Sequence, residues 1–90
     1  MSNQINPAEL KLRTITPERV AYLQQTGLCT QDDAELTETI IKIASDRETA
    51  DEVLTTIFDF DFQDVEELDV TLIIEARKRF LQALLGVSRG

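Results

Sequence analysis

The chain has 90 residues, 42% of them apolar and 29% charged, with a formal net charge of -8, no histidine and one cysteine. That length fits one small domain with a modest core, which burial against a partner or a second copy would reinforce. The charge argues against nucleic acid and anionic membranes as partners, since both are held by lysine and arginine, and the lone Cys29 excludes an internal disulfide and fits a reducing compartment.

Residues 1–8 are polar, contain Pro7 and read as a loose, flexible terminus. They lack the apolar core of a secretory signal, and no run in the chain approaches the ~20 apolar residues of a membrane span. The expected location is therefore the cytoplasm. From Glu9 to Thr14 the chain alternates, with Leu10 and Leu12 on one side and Lys11 and Arg13 on the other. That period of two fits a short N-terminal strand or an extended arm.

A first helix is predicted over Pro17 to Thr26. Thr16 can cap it, Pro17 suits a position whose N–H would be unpaired anyway, Glu18 complements the dipole, and Gly27 supplies a left-handed stop. Val20, Ala21 and Leu23 give it a short apolar face. Thr30 and Asp33 resemble a capping box before a second helix, about Gln31 to Ala44. Its stripe is Leu36, Ile40, Ile43 and Ala44, widened by Ile41.

Ala50, Val53, Leu54, Ile57 and Phe58 form the clearest amphipathic stripe, on a third helix starting at Asp46 or at Thr49. Asp59-Phe60-Asp61-Phe62 reads as a turn whose rings plug the core. A last helix is predicted from an Asp69 cap to a Gly86 stop, after a preliminary turn over Asp64 to Leu68. Val70, Ile73, Ile74, Phe80, Leu81, Leu84 and Leu85 are its expected buried face. The fold class is thus all-α: one domain over residues 1–90, a small bundle of three to four helices.

Charge is unevenly spread. Residues 1–30 hold two acids and three basic groups, residues 31–69 hold fourteen and two, and residues 70–90 hold one and four. The ordinary reading is that acids such as Asp32, Asp46, Asp64 and Asp69 cap helices and cover solvated faces. The sharper one makes Asp59, Asp61, Asp64, Glu66 and Glu67 a patch that steers a basic partner segment. Arg77, inside the last stripe, either snorkels over apolar surface or pairs with an acid or a partner.

Residues that carry chemistry are sparse. Asp59 to Asp69 imitates a calcium loop, but Asp64 stands where the turn needs glycine and Val70 where the final ligand should be glutamate. Zinc needs cysteine and histidine, Cys29 has no histidine base, and three glycines make no phosphate loop. The serines lack the Asp-Ser-Leu setting of an acyl carrier protein. No catalytic residue, metal or cofactor is expected. The expected role is protein binding, and Asp61, Asp64, Glu67, Ile74, Arg77, Phe80, Leu81 and Leu84 are the candidate partner-binding residues.

Residues Val65 to Leu85 carry Leu68-Asp69 ahead of a helix ending in Phe80-Leu81, and Leu10 to Pro17 is a short basic-apolar opening. In these features the chain resembles the phage tail assembly chaperones, small acidic proteins; Leu72 stands where some of them have a second acid. The resemblance implies a non-catalytic accessory protein in the host cytoplasm. It would keep a long helical client, the tape-measure protein, from aggregating, and would recruit tail-tube subunits. Two other readings stand beside it: an acidic regulatory adaptor of the antitoxin or anti-activator type, and a homo-oligomeric structural subunit joined through the last helix.

Overall fold

The computed structural model of the protein describes Asn6 and residues 9–89, the last three of these as backbone only. The terminus expected over residues 1–8 lies, apart from Asn6, outside the described residues. Among the described residues four helices follow one another: α1 (Pro17–Thr26), α2 (Asp33–Ser45), α3 (Arg47–Ile57) and α4 (Val70–Arg89). The all-α bundle expected from the sequence is the fold observed.

Each helix start is set by a short polar side chain. Thr16 accepts from Arg19 N ahead of Pro17. For α2 the cap is Asp32 rather than Thr30, its carboxylate accepting from Ala34 N at 2.9 Å and Glu35 N at 3.2 Å. Thr30 instead donates to the Glu35 carboxylate and accepts from Asp32 N, bracing the approach to the helix. Asp46 resolves the start of α3: its carboxylate accepts from Glu48 N and from the Thr49 hydroxyl. Because Asp46 is also the last residue of α2's final turn, with its N–H on Ile43 O, one residue makes the whole corner between two helices.

Gly27 ends α1 with φ 91°, the left-handed conformation that only glycine adopts cheaply. Gly86 does not end α4, which continues to Arg89. Glycine there meets no neighbour within 4 Å and keeps a helical backbone, at about 1 kcal/mol relative to alanine. The expected N-terminal strand reduces to one antiparallel bridge between Leu12 and Phe58, with Arg13 N on Ile57 O and Asp59 N on Lys11 O.

Leu23, Leu28, Val53, Leu54, Ile57, Phe58, Phe62 and Ile73 are the largest of the fully buried side chains among the described residues. Between α3 and α4 the chain is irregular, and the preliminary helical turn expected over Asp64 to Leu68 is absent. Phe62, Val65 and Leu68 all turn inward here, while the acids among them stay exposed. Of the two rings expected to plug the core, Phe62 does so completely. Phe60 is 39% exposed and leans edge-on against Phe62, centroids 4.9 Å apart.

Irregular segments leave carbonyls that no helix or sheet satisfies, and arginines take that role. Arg47 donates to Phe62 O at 2.7 Å and to Glu66 O. Arg77 donates to Leu28 O at 2.7 Å and to Thr30 O. Arg79 donates to Leu10 O with its guanidinium over the Phe58 ring, Arg13 donates to Thr55 O, and Arg19 to Thr14 O. Five of the six arginines thus fasten main chain to helix.

Candidate protein-docking surface

The face that α4 turns inward is Leu72, Ile73, Ala76 and Phe80, each no more than 6% exposed. At roughly 100° per residue, this lies about a quarter turn from the face expected from the sequence. Ala76, fully buried, explains the rotation: a small side chain lets the neighbouring helices approach closely, which a stripe centred on Ile74 would not allow.

The rotation leaves a second apolar stripe outside. Val70 is 39% exposed, Ile74 47% and Leu85 67%; Leu81 and Leu84 are half-buried at the edge of the core. Val70, Ile74, Leu81 and Leu84 follow the 4-7-3 spacing of a heptad seam, with Arg77 at the one seam position between them. On α2, Ile41 is 53% exposed and lies beside Val70, across an open depression of about 440 Å³. Ala44 lines the depression, and Glu66, Glu67 and Asp69 form its acidic rim.

Helix length accounts for the far end of the stripe. Twenty residues make α4 about 30 Å long, against about 15 Å for α1. The last turns of α4 therefore outrun the shorter elements, and Leu85 stays mostly uncovered by the described residues, 67% exposed.

Of the residues singled out in the sequence, Ile74, Leu81 and Leu84 belong to this surface. Glu67 is on its rim. Asp61 and Asp64 are exposed further back in the loop, where the Asp61 carboxylate accepts from Gln63 N at 3.0 Å in a local turn. Phe80 is not available to a partner: it is 3% exposed and packed in the core. Arg77 is half-buried and its guanidinium donates to the Leu28 and Thr30 carbonyls, a role that neither sequence reading named. Ile41, Val70 and Leu85 are surface members that periodicity had assigned to the interior. Their signal in the sequence is surplus, more apolar positions than one buried face can hold.

Reactive chemistry is not gathered anywhere among the described residues. No three cysteine or carboxylate side chains converge on a point that could hold a metal. Burial pushes the Cys29 thiol up, against the partial opposition of Arg77, which is the reverse of activation. Burial, then the hydrogen bond and charge of Glu52, push the Tyr22 phenol up to about 12. No helix among the described residues is long and apolar enough to cross a membrane.

These features define a class: a small all-α domain with one uncovered apolar helix edge under an acidic rim. Against known proteins the chain matches no family model, no curated protein and no solved structure.

Proposed function

We propose that the chain is a non-catalytic protein-binding module of the tail-assembly chaperone kind, which holds a helical client on the outer edge of α4. The observation that carries this reading is the uncovered stripe of Val70, Ile74 and Leu85 with Ile41 beside it. Apolar edges of this length on a small acidic domain are costly to leave in water, and a helix laid along them is a common remedy. The short motifs Leu68-Asp69 and Phe80-Leu81 support the chaperone form of the reading, and the inert setting of Cys29 supports a non-catalytic role.

The test is retention of partners from lysate of the producing cells on the immobilised chain, with Ile74→Glu as the control. Tape-measure or tail-tube proteins should be retained, and the exposed Ile74→Glu change should weaken retention by about 2 kcal/mol, some thirtyfold, without loss of helix content by circular dichroism. Failure to retain any tail protein across a salt series would remove the chaperone reading. Retention of a basic, nucleic-acid-handling protein would replace it with the acidic adaptor.

A further inference from the structure

We infer that the occupant of the α4 edge is a cationic amphipathic helix of about four turns, its basic residues clustered at the end that lies over Glu66, Glu67 and Asp69. The inference rests on the docking reading above and adds the chemistry, length and polarity of the partner. Length comes from the stripe itself: Val70 to Leu85 spans about 22 Å at 1.5 Å per residue, which a helix of about fifteen residues matches. A helix rather than a strand fits the heptad spacing of Val70, Ile74, Leu81 and Leu84, which accepts knobs from a facing helix.

Polarity comes from charge. At the loop end, three exposed acids rim the depression, and the one cation that lines it, Arg47, already donates to the Phe62 and Glu66 carbonyls. Midway along α4, Arg77 donates to the carbonyls of Leu28 and Thr30, and among the described residues no cation of α4 forms an ion pair with Glu66, Glu67 or Asp69. A lysine or arginine on the occupant beside Glu66 and Glu67 supplies what the chain does not. Apolar contact would give most of the affinity, and the charges would choose the partner and its direction.

A second copy of this chain fits poorly. An antiparallel copy that stacks Val70 on Leu85 and Ile74 on Leu81 sets Lys78 of each copy opposite Arg77 of the other at the axis, like charge against like. A parallel copy sets Glu66 and Glu67 against themselves. An anionic bilayer is repelled by a net charge of -8.

Two fluorescent peptides of about sixteen residues test this, sharing one leucine seam and differing only in lysine or glutamate on one terminal turn. Their affinities for the full chain are read by anisotropy, alongside Ile74→Glu and the double change Glu66→Lys, Glu67→Lys, with circular dichroism to establish that each variant is folded. The lysine peptide should bind at least about tenfold more tightly at low salt, and the gap should close as salt is added. The double change should invert the preference, and Ile74→Glu should weaken both peptides. Equal affinities, or a preference untouched by the double change, would overturn the charge assignment while leaving a docking edge in place. Absence of binding by either peptide would overturn both. A dimer in sedimentation equilibrium that Ile74→Glu converts to monomer would overturn it in favour of a second copy.

Discussion

Tyr22 is the single tyrosine of the chain, so its ionisation can be followed alone by phenolate absorbance. Its pKa is raised from 10.0 to about 12 by burial and by Glu52, which means the folded protein holds the phenolic proton more tightly than the unfolded chain does. The linked stability is then fully present below pH 10 and is lost as pH rises from 10 through about 12. A native-state midpoint near 12, lowered by Glu52→Gln, is the expected titration. A midpoint that stays at 10 in the folded protein would show that Glu52 and burial do not act on the phenol. No sequence pattern announces this pair, because Tyr22 and Glu52 meet only once α1 packs on α3.

Among the elements, the starts of α1, α3 and α4 were legible, that of α2 was displaced from Asp32 to Thr30, and the buried faces were less legible still. Thr16-Pro17, Asp46 and Asp69 are local signals, complete within four residues, and each caps the helix that follows it. Which side of α4 faces inward depends on non-local contacts, above all the room that Ala76 leaves, and no spacing rule reports that. The same limit applies to Phe60 and Phe62, identical in type and two residues apart. Phe62→Ala should cost about 3–5 kcal/mol in urea denaturation, since it empties a fully buried site. Phe60→Ala should cost about 1 kcal/mol, the worth of one edge-on ring contact at the surface. Equal losses would mean that the two rings share one enclosed site.

For the whole molecule, a radius of gyration of 12.7 Å is close to the roughly 12 Å expected for this length, so the irregular 59–69 segment does not loosen the fold. It does concentrate charge: six acids and no basic residue lie between Asp59 and Asp69. At low ionic strength this like charge works against the compact state. Raising salt from about 0.02 to about 0.5 M shortens the screening length from about 20 to about 4 Å and should raise the urea midpoint. A fall would show that attractive pairs such as Arg13 and Asp59, 3.8 Å apart, outweigh the repulsion. The acidity was plain from composition. That it sits beside an apolar edge depends on how α2 and α4 are placed, and only the fold reveals it.

The arginines fastened to main-chain oxygens carry a consequence for how such a sequence can drift. An acid on a solvated face can move by a residue, or turn into glutamine, at little loss. A guanidinium that bridges Leu28 O and Thr30 O cannot become lysine, because a single ammonium on a flexible stem does not span two fixed acceptors. Descendants of this chain could therefore lose most resemblance in their acidic middle while Arg47, Arg77 and Arg79 stayed in place. A search for distant kin would do better to weight those three positions than the overall charge.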